Sequence, residues 1–528
     1  MKRILFSLPL ALLLGASIIT LNDQKNRVEA QSSAPEMTVD DLGVRTTVAN
    51  LITPITMAFL GTNDFLVLEK DTGKVQRVTN NLVQGTVLDL GVNFASERGL
   101  LGIALHPNFP SNPGVYLYWS CRSTALPADE FFPDEERCLD SNMFAADTNE
   151  ILQVPLLGNR VDRFVWNGSS LTFDHNLIML RAFQNDGAPT PPNQGDEEQP
   201  PRGNHDGGVM RFGPDGKLYI QFGDNGRRGQ LQNLPCGPTA NCPGTPQPDD
   251  QFGGPEPDDA HFTGVILRLN PDGTTPTDNP FFAAGAAMEN EEVGANIQKI
   301  YAYGLRNGFG MDFDPISGDL WEQENGDDTF SELNHVEAGF NSGWVQIMGP
   351  PERLAQYKAI ETSPDIDPCI GTPYFGLQQL RWSPTLIADS PGEALARLFV
   401  LPGSHYSAPE FSWKFEVSPG AIGFVRGRGL GPQYEGDLFV GGARPFLEGG
   451  HLFHFNLTGN RRKIGVDDPR LEDLVADNLC KWEITESETL LVGRNFGVIT
   501  DLITGPNGNL FVVSLDKGSV FEIFRRKS

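Results

Sequence analysis

Apolar and polar positions along the chain repeat a strand–turn–strand unit six times. In each unit an apolar strand is followed by a turn rich in Gly, Pro, Asn or Asp, and then by a strand rich in Leu, Val, Phe and Tyr. Such short runs bounded by turn residues predict β-hairpins. The six predicted strand pairs are 55–60 with 65–68, 100–105 with 115–118, 209–212 with 217–222, 309–313 with 319–322, 421–425 with 436–440, and 499–503 with 509–513.

Further strand patterns follow most of these pairs, for example over residues 75–78, 265–269, 452–455 and 520–523. Repeated four-stranded units of this kind are propeller blades. The predicted fold is therefore all-β: a six-bladed β-propeller, closed by pairing of N-terminal and C-terminal strands, in one domain over residues 31–528. Two inserts, residues 122–201 and 347–409, are predicted to be long loops on the face where propellers place their binding sites.

The first thirty residues have the pattern of a secretory signal. Lys2 and Arg3 precede an apolar run over residues 4–21, and a small residue, Ala30, stands at the expected cut. This pattern predicts a signal peptide over residues 1–30. No later segment has the roughly 18 uninterrupted apolar residues that a membrane helix needs. We therefore expect a secreted protein, periplasmic or extracellular, with no membrane insertion after cleavage.

The composition is strongly acidic. The 528 residues carry a net charge of −28, and removal of residues 1–30 takes away four basic and two acidic side chains, which leaves −30. Such a surface repels nucleic-acid phosphates and anionic lipid. Nucleic acid and membranes are therefore not expected as partners, whereas a neutral or cationic small molecule is favoured.

Six cysteines in an exported chain predict disulfides, and no Cys-x-x-Cys or histidine cluster suggests zinc. Six cysteines allow fifteen pairings. The spacing favours two pairs that bracket loop-like stretches, and leaves one pair over. These pairs are Cys121 with Cys138, Cys236 with Cys242, and Cys369 with Cys480.

The third hairpin carries candidate chemistry at one end. His205 precedes its first strand, Asp224 follows its second, and Gly-Pro-Asp-Gly at 213–216 supplies the turn between them. Because an antiparallel pair brings its far ends together, His205 and Asp224 are expected to be neighbours. A carboxylate beside an imidazole orients it and stabilises its protonated form, as a general base needs. The alternative interpretation is that His205 caps one turn and Asp224 closes another.

Several stretches, in order along the chain, resemble the soluble glucose and sorbosone dehydrogenase family, whose members are six-bladed propellers that use pyrroloquinoline quinone. The resemblance runs from about residue 48 to residue 524. The stretches are Glu-Arg-Gly-Leu-Leu-Gly-Ile-Ala-Leu-His-Pro at 97–107, His-Asp-Gly-Gly at 205–208 with Gly-Asp-Asn-Gly at 223–226, Tyr-Gly-Leu-Arg-Asn at 303–307, Glu-Leu-Asn at 332–334 with Gly-Trp at 343–344, and Ser-Pro-Gly at 418–420.

The resemblance implies the catalytic roles. His205 stands at the position of the family's general base, which takes the proton of the anomeric hydroxyl of a sugar as its hydride passes to the quinone. Asp224 matches the carboxylate that orients this histidine. Arg306 and Asn307 match residues that reach the quinone oxygens, where a cation stabilises developing negative charge. The implied partners are a sugar substrate and an external electron acceptor.

The resemblance also implies the residues that bind cofactor and metal. The backbone carbonyls of Gly326 and Asp327 match those that hold the cofactor's calcium ion, for which oxygen ligands are suited. Glu97 and Arg444 fall at cofactor-contacting positions, where the family has a glutamine and a lysine. Glu332 is left as a second possible calcium ligand, and the acidic segment 324–328 is alternatively a purely structural calcium site.

The chain departs from the family at positions that contact the cofactor. Asp327 replaces a proline, and Val498 and Thr500 fall where two arginines bind the cofactor's carboxylates in the glucose enzymes. Each lost charged hydrogen bond is worth roughly 1.5–3 kcal/mol, and Arg202, Arg227 or Arg494 are candidates to compensate. Two functions therefore remain: a quinone-dependent sugar dehydrogenase, or a non-catalytic, calcium-binding propeller that recognises a carbohydrate or a protein.

Overall fold

The structure, a computed structural model, describes residues 33–94, 97–121, 158–181, 205–224, 233, 262–289, 291–362, 369, 384–385, 387–443 and 449–527. Twenty-nine strands account for most of the secondary structure within these ranges. They are β1 Glu36–Met37, β2 Leu42–Val48, β3 Pro54–Gly61, β4 Asp64–Glu69, β5 Lys74–Thr79, β6 Leu82–Asp89, β7 Leu100–Leu105, β8 Gly114–Ser120, β9 Gly158–Trp166, β10 Leu171–Arg181, β11 Met210–Phe212, β12 Leu218–Phe222, β13 Val265–Leu269, β14 Ile300–Tyr303, β15 Gly310–Phe313, β16 Leu320–Glu324, β17 Thr329–Val336, β18 Phe340–Asn341, β19 His405–Tyr406, β20 Phe411–Phe415, β21 Pro419–Phe424, β22 Leu438–Gly442, β23 Leu452–Thr458, β24 Lys463–Gly465, β25 Val475–Ala476, β26 Leu491–Arg494, β27 Ile499–Thr504, β28 Leu510–Ser514 and β29 Ser519–Arg525.

Helices are few and short. The α-helices of the described ranges are α1 Phe282–Ala286, α2 Glu291–Ile297, α3 Leu354–Glu361 and α4 Pro391–Arg397, and single 3-10 turns cover Pro351–Arg353, Pro432–Tyr434, Pro469–Leu471 and Ser487–Leu490. The predicted all-β class is therefore confirmed. In the part of the chain that the structure describes, no helix has the length and apolarity needed to cross a membrane.

The strands form six sheets. Their orders are β3-β4-β5-β6, β10-β9-β8-β7, β11-β12-β13-β14-β18-β19, β15-β16-β17-β20-β25, β1-β26-β23-β22-β21 with β24 beside β23, and β2-β29-β28-β27. Each of the six predicted hairpins is present as an antiparallel pair, with strand ends within two residues of the prediction.

Five of these sheets are each built mainly by one continuous stretch of chain folded up and down, which is the arrangement of a propeller blade. By this criterion the propeller has five blades, and not the six predicted. The remaining sheet is composite, because β2 near the N terminus pairs antiparallel with the C-terminal β29. The predicted pairing of the two chain ends is thus confirmed. The repeat in the sequence predicts how many hairpins form. It does not show which segment of the chain supplies the other strands of each sheet.

The prediction that both inserts are loops is wrong in part. The first contains β9 and β10, which are the outer strands of the second sheet. The second contains α3 and α4, and its Cys369 forms the predicted disulfide with Cys480. Cys121 is disulfide-bonded as well, but Cys138, Cys236 and Cys242 lie outside the described residues.

Candidate active site

The hairpin β11–β12 positions the two predicted catalytic side chains. Met210 pairs with Ile220 and Phe212 with Leu218. The turn between the strands is closed by a bond of 2.9 Å from the Gly216 N–H to the Gly213 carbonyl. The two strands are therefore in register, and His205 and Asp224 lie at the end of the hairpin opposite the turn.

His205 and Asp224 are in direct contact, as the hairpin predicts. His205 Nδ1 lies 2.5 Å from Asp224 Oδ1. The indole N–H of Trp344 donates to the other carboxylate oxygen, Oδ2, at 2.8 Å. The side chains of His205 and Asp224 are only 13% and 4% exposed, so water competes little for these bonds. The arrangement fixes the proton of the imidazole on Nδ1 and leaves Nε2 as its basic atom.

The backbone around His205 is tightly held. His205 has a φ of 58°, which is uncommon for a residue other than glycine and is found mostly where the surroundings fix the conformation. A side chain on Gly223 would come within 2.3 Å of the His205 carbonyl, so only glycine fits there. Glu97 Oε2 accepts the His205 backbone N–H at 2.6 Å and the Asn307 Nδ2–H at 3.3 Å. The predicted site residues Glu97, His205 and Asn307 are thus neighbours.

Arg306 is buried and fully engaged with the segment after β16. Its guanidinium donates to the carbonyls of Asn325 and Gly326, each at 2.9 Å, and to the carboxylate of Asp327. Burial opposes the charged form, yet the carboxylates of Asp327 and then Asp224 raise the pKa of Arg306 above its usual value. Arg306 is therefore a cation close to Asp224, and three of its N–H groups are directed at residues 325–327.

The two carbonyls predicted to hold calcium both accept hydrogen bonds from cations. Gly326 O binds Arg306, and Asp327 O accepts from Lys481 Nζ at 2.7 Å. Among the described residues there is also no group of three or more His, Cys, Asp or Glu side chains placed to hold a metal ion. Calcium requires six to eight oxygen ligands and is repelled by an adjacent ammonium. These residues therefore do not fit the predicted calcium ion.

A central cavity of about 330 Å³ lies beside Glu97 and Gly207. Residues on or next to the innermost strands of all six sheets line it. Its charged lining consists of Lys70, Asp71, Glu97, Arg211 and Asp501. Lys70 binds Asp71 at 2.9 Å and Arg211 binds Asp501 at 2.8 Å, so both cations are paired with carboxylates.

The positions of the two missing arginines face this cavity. Val498 and Thr500 both line it. Arg494, a candidate to compensate, instead binds Glu36 at 2.5 Å across β26 and β1. Arg444, Arg202 and Arg227 lie outside the described residues.

One buried polar atom of the predicted site has no partner among the described residues. Asn307 Oδ1 is buried and lacks a hydrogen-bond partner in the described part of the chain. A buried polar atom of this kind is costly unless a ligand or water satisfies it. Of the predicted site residues Glu97 lines the cavity, while Val498 and Thr500 offer no cation to the carboxylates of a cofactor.

Three buried glutamates lie on neighbouring strands below the Arg306 segment. Glu322 and Glu324 are on β16 and Glu332 is on β17. Burial raises the pKa of Glu322 to about 8 and that of Glu332 to about 7, and it raises the pKa of Glu324 well above its usual value. Glu332, the second possible calcium ligand, instead accepts the backbone N–H of Gly349 at 2.5 Å and the Asn334 side chain at 3.1 Å.

Two residues of the site carried no predicted role. Trp344 is part of a stretch that resembles the family, but its bond to Asp224 joins residues 120 positions apart. Lys481 reaches Asp327 over 154 positions. No local sequence pattern predicts either contact. Lys481 does stand between a cysteine and a tryptophan, which is an unusual setting for a surface lysine.

Parts of the chain are similar to proteins of known family. Residues 51–132 and 246–368 match the Glucose / Sorbosone dehydrogenase family model. Quinoprotein glucose dehydrogenase B of Acinetobacter calcoaceticus is 26% identical over 347 residues, which is 64% of this chain and 60% of that protein. Aldose sugar dehydrogenase YliI of Escherichia coli is 25% identical over 312 residues, 59% of this chain and 57% of that protein. The matches thus span about 60% of these relatives.

Solved structures share the fold. The apo form of the soluble aldose sugar dehydrogenase of Escherichia coli superposes with a TM-score of 0.55 at 20% identity, covering 92% of this chain and all of that one. The PQQ-bound aldose sugar dehydrogenase of Streptomyces coelicolor gives 0.50 at 21% identity, covering 93% and 100%. The chain is thus similar to the Glucose / Sorbosone dehydrogenase family over residues 51–132 and 246–368, and it shares its fold with these two solved structures.

Proposed function

We propose that the protein oxidises an aldose or a similar sugar at its anomeric hydroxyl, with pyrroloquinoline quinone as cofactor and an external molecule as final electron acceptor. The observation that carries the proposal is the His205–Asp224–Trp344 chain of hydrogen bonds, which is joined to the central cavity through Glu97, a residue that lines the cavity and accepts the His205 backbone N–H. Relatives named as quinoprotein and aldose sugar dehydrogenases support the same chemistry.

His205 is the proposed general base. Its Nε2 takes the proton of the sugar hydroxyl while the C–H bond of the same carbon breaks and a C=O bond forms. The quinone, when bound, supplies the acceptor for the hydride. Asp224 keeps the Nδ1 proton in place and stabilises the imidazolium that forms, and Trp344 holds the Asp224 carboxylate in position by donating to its second oxygen. Arg306, in this proposal, adds positive potential at the site through its charge rather than by a free N–H group.

The cofactor is expected to bind less tightly than in an enzyme with two arginines at positions 498 and 500. The two cations in the described cavity lining, Lys70 and Arg211, already bind Asp71 and Asp501. The proposal includes no calcium, since the Gly326 and Asp327 carbonyls bind Arg306 and Lys481. Two lost charged hydrogen bonds predict an affinity weaker by roughly a thousandfold or more.

The test mixes the purified protein with pyrroloquinoline quinone and measures oxidation of a panel of aldoses with an artificial electron acceptor. His205→Ala should lower turnover roughly 10²–10⁴-fold, with little change in quinone affinity measured by calorimetry. The matched control is His454→Ala, because His454 Nε2 pairs with Asp437 at 2.8 Å within a blade and away from the cavity. Equal turnover of His205→Ala and the parent would assign the base to another group.

A second function is favoured by one observation, the presence of Val498 and Thr500 in the cavity wall. A propeller that binds a carbohydrate or a protein without catalysis needs no cation there. Calorimetry separates the two functions, because a binding module takes up no quinone at any concentration tested. In that case glycan and protein ligands become the candidates.

We also propose that residues 31–528 form one domain after removal of a signal peptide, and that the composite sheet of β2, β27, β28 and β29 closes the ring between the blades on either side of it. Two apolar clusters support this. One joins β2, β28 and β29 to β3 and β4, and the other joins the composite sheet to β21, β22 and β23. The chain would then act outside the cytoplasm, in the periplasm or the medium.

A further inference from the structure

Lys481 is a buried lysine surrounded by oxygen atoms. Its Nζ donates to the carbonyl of Asp327 at 2.7 Å and lies 3.2 Å from Asp328 Oδ1 and 3.6 Å from Glu416 Oε2. Its side chain is 5% exposed, and those of Asp328 and Glu416 are 3% and 6% exposed. A buried ammonium is tolerated only when it is paired and hydrogen-bonded, as it is here.

The neighbours of Lys481 in sequence fix it at this point. Cys480 is joined to Cys369 by a disulfide, and the Trp482 backbone N–H donates to the Glu416 carbonyl at 2.8 Å. Glu416 is in turn tied to the segment that it faces, since its N–H donates to the Asp328 carbonyl at 3.1 Å. The ammonium is therefore positioned by the main chain on both sides, and not by a flexible contact at the surface.

The groups around this ammonium are those that a divalent cation would use. One backbone carbonyl and two carboxylates supply hard oxygen ligands, and Ca²⁺ prefers such ligands at 2.3–2.6 Å. A calcium ion on the Asp327 carbonyl would lie beside the ammonium, and the two like charges would repel each other in a site with little water. Lysine and calcium are thus mutually exclusive at this position.

We propose that Lys481 takes the place of a calcium ion at the Asp327 carbonyl, so that this chain carries the positive charge of the site in its own sequence. Together with Arg306 on the Gly326 carbonyl, it holds the backbone beside Asp224 without a metal. The inference rests on the proposed function only where it concerns the quinone. The placement of the cation is independent of it.

The experiment counts calcium ions by calorimetry after treatment with EDTA, in the parent and in Lys481→Met. Removal of the ammonium takes away the cation that the Asp328 and Glu416 carboxylates and the Asp327 carbonyl now face. Lys481→Met should bind one calcium ion more than the parent, and 1 mM calcium should raise its Tm by roughly 3–4 °C if the ion binds with a Kd of about 1–10 μM. Lys481→Gln replaces this variant if Lys481→Met does not fold. Lys463→Met is the matched control, because Lys463 also binds a buried glutamate, Glu410 at 2.8 Å, but is 64% exposed.

Two results would overturn the inference. One is a calcium ion bound by the parent and lost in Asp328→Asn. The other is a folded Lys481 variant that gains no calcium over the parent. Titration of the parent with the quinone, once in EDTA and once in calcium, provides an independent test. The affinity for the quinone is expected to be the same in the two conditions. Failure of the quinone to bind in both conditions would reject the proposed function, while the calcium count still decides the role of Lys481.

Discussion

Both oxygens of the Asp224 carboxylate accept an N–H group, and both bonds act on His205. Oδ1 faces the imidazole Nδ1 at 2.5 Å, and Oδ2 faces the Trp344 indole at 2.8 Å. Hydrogen bonds to the charged form favour the carboxylate, and the carboxylate in turn fixes the imidazole tautomer. Two side chains therefore prepare His205 as a base. Asp224 binds its imidazole, and Trp344 holds Asp224 through the single polar atom of the indole ring.

Asp224→Asn tests this preparation. The amide presents an NH₂ group to either Trp344 or His205, both of which donate, so the imidazole is driven to the tautomer that carries its proton on Nε2. We expect kcat to fall by roughly 10³–10⁴-fold, as for other aspartates that orient a histidine base. The quinone affinity should be unchanged. Steady-state kinetics and calorimetry measure both quantities.

The control for this variant is Asp437→Asn, which alters the equivalent partner of His454 and should leave kcat unchanged. A fall of less than tenfold in Asp224→Asn would show that the tautomer is fixed by another group. Equal loss in both variants would point to a general loss of folding.

The sequence predicts contacts within one hairpin better than contacts between blades. His205 and Asp224 are 19 positions apart, and strand pairing alone brings them together. Lys481 and Asp327 are 154 positions apart, in segments whose relative placement depends on the assembled sheets. The calcium site was predicted from its carbonyls alone, without the two cations that the fold brings to them.

At the scale of elements, buried polar residues explain the strand that was predicted as loop. In β9, Arg160 and Asp162 are fully buried and bind each other at 2.5 Å. The Trp119 indole donates to the same carboxylate at 2.7 Å. A strand with two charged residues in its buried positions lacks the apolar alternation on which prediction depends. Paired charged side chains thus occupy buried positions of β9. For this reason the apolar pattern of the sequence does not predict the strand.

The buried glutamates of β16 and β17 make the fold sensitive to pH. Burial raises the pKa of Glu322 from 4.5 to about 8, so the folded state keeps a proton that the unfolded chain releases. The contribution to stability is therefore complete below pH 4.5 and is lost as the pH rises through about 8. Glu322→Gln removes this dependence, because the amide stays neutral at all pH values.

We expect the free energy of unfolding of the parent to fall relative to Glu322→Gln between pH 5 and 8, by up to about 1.4 kcal/mol per pH unit. Glu322 Oε2 accepts from Gln221 Nε2 at 2.9 Å, and Gln221 Oε1 is buried without a partner among the described residues. A flip of the Gln221 amide therefore accommodates the new NH₂ group. Urea unfolding at several pH values measures the difference. Parallel curves would contradict the raised pKa, and Glu337→Gln, at a half-exposed site, is the control.

At the scale of the whole molecule, polar bonds across the centre connect sheets that are distant in sequence. Asp501 of the composite sheet accepts from Thr56 of β3 at 2.5 Å and from Arg211 of β11 at 2.8 Å. The composite sheet is thus tied to two other sheets at the cavity wall. Since its fourth strand is β2, the stability of the cavity depends on residues close to the N terminus.

Removal of β2 should therefore weaken the entire molecule and not only its edge. Deletion of residues 1–48 leaves the β29 edge unpaired and removes the buried side chains of Leu42 and Val48. Two such side chains contribute roughly 3–6 kcal/mol, and an exposed strand edge promotes aggregation. We expect a lower Tm, aggregation in size-exclusion chromatography and loss of quinone binding.

Deletion of residues 1–34 is the control, because it keeps β1 and β2 intact. If the longer deletion left the Tm and the monomer peak unchanged, the composite sheet would not close the ring, and the cavity would be held by the other five sheets alone.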